Sequence, residues 1–183
     1  MAGVIVAALL AAGGAAIWFW EPWEDDDDQR VELDSLSEEF RGSACREVAG
    51  VAARLAEQEP STIEFLRSLG RQVAGIRPPP RAYGDLARGG SDRVPGKGFL
   101  ARFDDGTAGQ ARHFAGIAVA ASLGGGNSTR VISIFVRQDT ENSPDGRLTD
   151  EGIAFATQVQ AGDLALEEAP QWLLDHLCRR RPD

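Results

Sequence analysis

The sequence predicts a mainly α-helical protein, with a single N-terminal transmembrane helix followed by one compact helical domain. The first twenty residues contain no charged side chain. In the rest of the chain, apolar residues recur at three-to-four spacing, which is the pattern of an amphipathic helix. Ser or Thr followed three residues later by Glu or Gln marks several helix starts. We divide the chain into an anchor at 1–23, an acidic juxtamembrane linker at 24–34 and a domain at 35–183.

The anchor is predicted from its length and its flanks. Twenty helical residues span about 30 Å, the thickness of a bilayer's hydrocarbon core. An aromatic belt typical of a membrane interface closes the segment. A cleaved secretory signal is the alternative, but such a signal begins with Lys or Arg and ends on small residues. Neither feature is present, so we expect a retained anchor. The belt consists of Trp18, Phe19, Trp20 and Trp23.

Gly13 and Gly14 offer a small-residue face for another membrane helix, although glycine is also simply tolerated in membrane spans. The span contains no His and no charged side chain, so it cannot by itself relay protons or bind a metal through imidazole. Six acids lie between Glu21 and Asp28, and no Lys or Arg precedes Arg30. We therefore expect a cytoplasmic N-terminus and a periplasmic or extracellular domain on the inner (cytoplasmic) membrane.

Composition limits the partners of the domain. The chain has 28 acidic and 19 basic side chains, and the six acids of the juxtamembrane region leave 22 against 19 in the remainder. That balance lacks the basic stripe of a nucleic-acid-binding protein. Cys45 and Cys178 lie near the two ends of the domain and could form a disulfide in an oxidising compartment, or remain free buried thiols. Their spacing does not suggest zinc.

Five or six helices are predicted in the domain. Ser35 begins a capping box before the first helix, and Ser61 begins another before the second. A short strand pair at 99–103 and 131–136 is the only predicted structure that is not helical, and 131–136 also fits a helix. The Pro/Gly-rich segment 77–98 is predicted to be a loop that binds a partner, wraps around one, or is disordered. The predicted helices run over 35–58, from 61 to the prolines at 78–80, from 107 to 124, from 149 or 150 to 162, and from about 170 onwards.

Two places in the domain suggest chemistry. His113 follows Asp104 and Asp105 in sequence, which would suit a catalytic pair if the entering loop folded back, although acids before a helix also simply favour its N-terminus. The segment 139–150 resembles the spacing of a calcium-binding loop, but the position of the bidentate Glu is Gly152. In that register the matching residues are Glu141, Ser143, Asp145, Gly146, Leu148 and Thr149.

No phosphate-binding, nucleophile-elbow, zinc-protease or haem-attachment motif occurs in the chain. The sequence therefore favours a non-enzymatic, single-span accessory or scaffold subunit of a photosynthetic, respiratory or secretion complex, without a cofactor. Its expected contacts are the lipid bilayer and other membrane subunits, through the N-terminal helix and the 77–98 segment. The alternatives are an anchored enzyme using His113 with Asp104 or Asp105, and a ligand or metal sensor at 139–150.

Overall fold

Six α-helices make up most of the described part of the protein. The structure is a computed structural model, and it describes residues 36–59, 61–126, 140 and 142–180. Short 3-10 turns occur at Glu38–Phe40, Ala101–Phe103 and Leu166–Glu168. The prediction of a mainly helical domain is confirmed. The helices are α1 (Ala44–Gln58), α2 (Thr62–Ala74), α3 (Arg81–Arg88), α4 (Gln110–Gly124), α5 (Pro144–Ala161) and α6 (Ala169–Leu177).

Helix α4 is the centre of the domain, because it packs against both α2 and α5, while α1 packs against α6 and α2. Aromatic rings fill the space between the helices. The ring centroid of Phe155 lies 5.4 Å from that of Phe114, 6.4 Å from that of Phe65 and 5.2 Å from that of Trp172. One apolar core therefore joins helices from both halves of the described chain.

Two glycines allow the helices around α4 to approach closely. A Cβ atom on Gly152 of α5 would lie 2.8 Å from Ile117 Cγ2 and 3.2 Å from the carbonyl oxygen of Phe114, both on α4. A Cβ atom on Gly70 of α2 would collide with Val119 on the other side of α4. Both positions therefore need a residue without a side chain at the present interhelical distances.

Several helix boundaries differ from the prediction. Helix α1 begins at Ala44 rather than near residue 35, because Gly42 has a φ of 95° and Ser43 is the residue whose hydroxyl accepts a bond from the Arg46 N–H. Helix α5 begins at Pro144, with Ser143 as its cap, rather than at Thr149 or Asp150. A proline in the first turn lacks only a donor that would have no helical partner, so the predicted turn is a helix start.

Other boundaries agree with the sequence. The Ser61 hydroxyl accepts a bond from the Glu64 N–H at the start of α2, which confirms the predicted cap. Helix α5 ends at the left-handed Gly162, and α6 begins one residue before Pro170. Helix α2 ends at the left-handed Gly75, three residues before the proline run that was expected to stop it.

The Pro/Gly-rich segment 77–98, which was predicted to be a loop, contains a helix. Helix α3 occupies its middle, and Gly89, with a φ of 84°, closes it. The segment is tied down by Asp85, which accepts bonds from the backbone N–H and the guanidinium of Arg77. A search for helical periodicity does not detect a salt bridge between two residues that are eight positions apart, which explains the error.

The strand prediction at 99–103 reduces to a single antiparallel bridge between Phe99 and Cys178, followed by a 3-10 turn. The Leu100 N–H donates to the Leu177 carbonyl at 2.7 Å, and the Arg179 N–H donates to the Gly98 carbonyl at 2.8 Å. The segment 131–136, for which the sequence left both a strand and a helix open, lies outside the described residues. So does the predicted anchor with its aromatic belt and its Gly13–Gly14 face. Among the helices that the structure describes, none is long and apolar enough to cross a membrane.

Candidate functional site

His113 is placed inside the helical packing rather than at a solvent-facing site. It lies on α4 with 8% of its surface exposed, and its Nε2 atom is 2.9 Å from the hydroxyl oxygen of Thr149 on α5. The pair thus links two helices of the core. A buried polar pair of this kind satisfies groups that would otherwise cost free energy on burial.

The two aspartates predicted to work with His113 order the loop that leads into α4. Asp104 accepts a bond from the Arg179 guanidinium at 2.8 Å and another from the Gly106 N–H at 3.0 Å. Asp105 accepts bonds from both the N–H and the hydroxyl of Thr107 at 2.8 Å, and from the Gln110 side chain. These bonds explain both acids as loop-forming residues.

The structure forms a different contact between a histidine and a carboxylate at the surface. His176 Nδ1 lies 3.9 Å from Glu151 Oε2, and the ring of His176 stacks on Trp172 with 4.2 Å between centroids. Arg102 contacts the same glutamate at 3.5 Å. The imidazole–carboxylate distance exceeds hydrogen-bond length, so the two groups form a long-range ion-pair contact rather than a hydrogen bond.

The segment proposed as a calcium loop is largely helical. The Ser143 hydroxyl accepts a bond from the Gly146 N–H at 3.0 Å, so it caps α5, and the residues that follow continue the helix. Glu141 is not among the described residues. Within the described ranges, no group of three or more His, Cys, Asp or Glu side chains could hold a metal ion.

Cys45 and Cys178 form a disulfide bond, with 2.06 Å between their sulfur atoms and a sequence separation of 133. It joins the first turn of α1 to the residue that follows α6. Cross-linking so long a loop removes much of the entropy of the unfolded chain, and the loss of such a bond typically costs about 2–5 kcal/mol. The two ends of the described domain are therefore covalently held together.

A groove of about 560 Å³ lies between α1, α6 and the 3-10 turn at Glu38–Phe40. Its lining combines apolar side chains with polar ones, among them Arg54 and three exposed glutamates, Glu39, Glu57 and Glu167. We call this feature the acidic groove. It is lined by Leu36, Ser37, Glu39, Phe40, Gly50, Ala53, Arg54, Glu57, Glu167, Pro170, Gln171 and Leu174.

Small residues on α1 shape the acidic groove. A Cβ atom on Gly50 would lie 2.7 Å from Phe40 Cβ and 3.0 Å from the methyl groups of Leu36, so only glycine lets both side chains rest on the helix here. Within the described residues, neither Glu57 nor Glu167 has an ion-pair partner. The groove therefore has a mixed lining that carries three glutamates and one arginine.

Sequence reasoning missed this groove because its two walls are far apart in the chain. The only local signal is the run of small residues in α1, where Gly50 and Ala53 precede Glu57 at helical spacing. Comparison of the chain with protein-family models, with curated proteins and with solved structures returned no match.

Proposed function

We propose that this chain is a non-enzymatic, single-span accessory subunit of a larger membrane complex, with its helical domain on the periplasmic or extracellular side of the inner (cytoplasmic) membrane. One observation carries the proposal: the domain that follows an uncharged twenty-residue segment is closed end to end by a disulfide. Disulfides persist in oxidising compartments and are rare in the cytosol. The predicted orientation of the anchor and the disulfide of the domain therefore both favour the periplasmic or extracellular side of the membrane.

The chemistry of the domain is consistent with a binding role. His113, Asp104 and Asp105, the residues that the enzymatic alternative requires, form hydrogen bonds that link helices or order a loop. The acidic groove offers a surface for association. Photosynthetic, respiratory and secretion assemblies all use single-span subunits of this size. The scaffold role would combine Gly13 and Gly14 in the membrane with contacts of the domain outside it.

The side of the membrane is tested with reporter fusions to the C-terminus of the full chain. Alkaline phosphatase becomes active only where its disulfides form, whereas green fluorescent protein exported by the general secretory route does not fluoresce. We expect phosphatase activity without fluorescence, and a Cys45–Cys178 bond in chain that is alkylated before lysis. Fluorescence of the fusion together with free thiols would place the domain in the cytoplasm and refute the proposed topology.

Assembly is tested by native-gel sizing of the full chain extracted in mild detergent. We expect the 19.6 kDa chain to migrate in a considerably larger particle. Replacing Gly13 and Gly14 with leucine should shift part of it to a smaller size, whereas Val6→Leu, which leaves the small-residue face intact, should not. A wild-type chain that migrates only as a detergent-bound monomer would contradict the accessory role.

A further inference from the structure

One short segment of the chain contacts the backbone on both sides of the disulfide. We call residues 96–100 the cover segment. Its Phe99 forms the antiparallel bridge with Cys178, with a backbone hydrogen bond on either side. Its Gly98 lies against Ser43, the cap of α1, because a Cβ atom on Gly98 would collide with the Ser43 side chain. The cover segment therefore joins the start of α1 to the residues that follow α6.

Both cysteines are buried in this arrangement. Cys45 is 1% exposed and Cys178 is 4% exposed. Reduction of a disulfide requires a thiolate to approach one of the two sulfur atoms, so its rate depends on access to that sulfur. A small thiol has no open path to either cysteine in the closed structure. Part of the chain must therefore open before the bond can be reduced.

Arg179 fastens the residues after α6 to the cover segment. Its backbone N–H donates to the Gly98 carbonyl at 2.8 Å, and its Nε donates to the Phe99 carbonyl at 2.7 Å. Its guanidinium also donates to Asp104 at 2.8 Å. The Arg179 side chain is 51% exposed, so water can replace these bonds when they break. The residues from Cys178 onwards can thus move away without the unfolding of any helix, because α6 ends before them.

We propose that the cover segment and Arg179 form a gate over the disulfide, and that a dithiol reductant attacks the Cys178 sulfur when the residues after α6 swing open. The reductant thiolate forms a bond to Cys178 Sγ, the S–S bond breaks, and its electron pair leaves on Cys45 Sγ. The second thiol of the reductant then displaces Cys178 and closes the reductant's own disulfide. Two electrons and two protons pass from the dithiol to the protein, which ends with two free thiols.

The direction of attack follows from where the two cysteines lie. Cys45 is the second residue of α1, where the unpaired N–H groups and the helix dipole stabilise negative charge on a departing sulfur. Cys178 directly follows the last residue of α6, at the end of a helix where the dipole disfavours such charge. It also lies on the side of the bond that opens. Both considerations make Cys178 the attacked sulfur and Cys45 the leaving group.

This inference goes beyond the proposed function, because it requires neither a membrane complex nor a particular side of the membrane. The test is the rate at which dithiothreitol reduces the full chain in mild detergent, followed by acid quenching, alkylation and mass spectrometry. A local opening exposes little surface, so we expect the rate to change less than about twofold with urea well below the unfolding midpoint. A rate that rises in proportion to the equilibrium constant of unfolding would show that reduction needs global unfolding, and would overturn the proposal.

A pair of neighbouring arginines tests the gate itself. Arg179→Ala removes the bonds to Phe99 and Asp104 and should speed reduction at least tenfold without urea. Arg180→Ala is the matched control, since the Arg180 side chain forms no hydrogen bond or ion pair among the described residues, and should stay within about twofold of wild type. Equal rates for the two variants would refute the role of Arg179.

A core variant separates opening of the gate from loss of overall stability. Leu66 is fully buried in α2, which begins after the end of α1 opposite to Cys45. Leu66→Ala should destabilise the whole domain, yet leave the rate of reduction without urea within about twofold of wild type. An acceleration as large as that of Arg179→Ala would show that the chain is reduced through its unfolded state, and would contradict the gate.

The cover segment and the direction of attack are tested separately. Gly98→Ala places a methyl group against Ser43 at a φ of 109° and should speed reduction at least fivefold. Gly162→Ala, with a φ of 77° and nothing within 4 Å of the added atom, introduces comparable backbone strain at the end of α5 and should leave the rate within about twofold of wild type. In brief exposure to glutathione, the mixed disulfide should form on Cys178 and the alkylated thiol should be Cys45. The opposite distribution, or equal rates for the two glycine variants, would overturn the proposal.

Discussion

The Asp85 carboxylate shows how one side chain organises a segment that sequence composition predicts as a loop. Only 9% of this side chain is exposed, and it binds Arg77 at 2.7 Å and Arg88 at 3.2 Å. Burial acts to raise the pKa of Asp85, but the bonds from Arg77 and Arg88 outweigh it and hold the pKa below its usual value. The same hydrogen bond raises the pKa of Arg77. The pair therefore remains ionised across the neutral range.

The first prediction is that Asp85→Asn destabilises the domain by about 2–3 kcal/mol at neutral pH, because it removes a charged partner from two arginines. Since the native pKa of Asp85 lies below the unfolded value near 3.9, its contribution is complete above about pH 5 and is lost as the pH falls through the native pKa. Urea unfolding of wild type and variant at several pH values measures the difference. The two should converge as the pH falls through the native pKa of Asp85.

Comparison with the variant is needed because other carboxyls act in the opposite direction. Burial raises the pKa of Glu47 and Asp92 above the usual values, so their ionisation opposes folding as the pH rises. Subtracting the Asp85→Asn curve from the wild-type curve removes these contributions. Equal stability of wild type and variant at neutral pH would show that Asp85 is not held by its arginines in solution.

The second prediction concerns His113 and Thr149, which we interpret as a structural pair. Thr149→Val should cost about 1–2 kcal/mol, since it leaves a buried ring nitrogen without this partner. A double-mutant cycle with His113→Ala should show a coupling of about 0.5–1.5 kcal/mol in the free energy of unfolding. Additive effects of the two changes would mean that the 2.9 Å contact does not stabilise the domain.

At the scale of elements, local signals predicted helices well where capping and periodicity coincide. Ser61 caps the start of α2 and Gly162 the end of α5. The apolar side chains of α2 from Phe65 onwards are buried in the core, whereas Ile63 is 46% exposed. Prolines were a poor guide to helix boundaries. A helix follows directly after Pro80, where a loop was predicted, and another begins at Pro144, where a turn was predicted. Helix α3 depends on a salt bridge and a left-handed glycine, which local periodicity does not encode.

The third prediction tests the close packing of α5 on α4. Gly152→Ala should destabilise the domain by about 1–3 kcal/mol, since the added methyl group would press on Ile117 and the Phe114 carbonyl. Gly116 of α4 is the matched control, because a Cβ atom there meets nothing within 4 Å. Gly116→Ala should stabilise by about 0.5–1 kcal/mol through helix propensity alone. Equal effects of both changes on thermal unfolding would contradict the packing argument.

At the scale of the whole molecule, the candidate groove could not be predicted because it depends on tertiary contact. Leu36 and Leu174 line it from positions far apart in sequence, and Gly50 makes room for the turn that forms one wall. The alternative pairing of His113 with Asp104 or Asp105 was suggested by sequence proximity, whereas in the structure His113 contacts Thr149, Asp104 binds Arg179, and Asp105 binds Thr107 within its own loop. Proximity in sequence is a weak guide to a site that several helices assemble.

The fourth prediction concerns the disulfide that closes the domain. The Cys45→Ala/Cys178→Ala variant should lose about 2–5 kcal/mol of stability, because the cross-link spans 133 residues of chain. Thermal unfolding of the full chain in mild detergent, with and without reductant, measures this loss. Reductant should lower the unfolding temperature of wild type towards that of the variant and leave the unfolding temperature of the variant unchanged. Identical unfolding of oxidised and reduced wild type would show that the bond does not contribute to stability.

The measurement that tests the central claim most directly is the composition of the particle purified through a C-terminal tag on the full chain, after extraction of native membranes in mild detergent. Quantitative mass spectrometry reports which proteins are present and in what ratio. The account predicts a fixed, stoichiometric ratio to one or more integral membrane proteins, maintained through a second chromatographic step. A chain purified with no such partner would contradict its assignment as an accessory subunit.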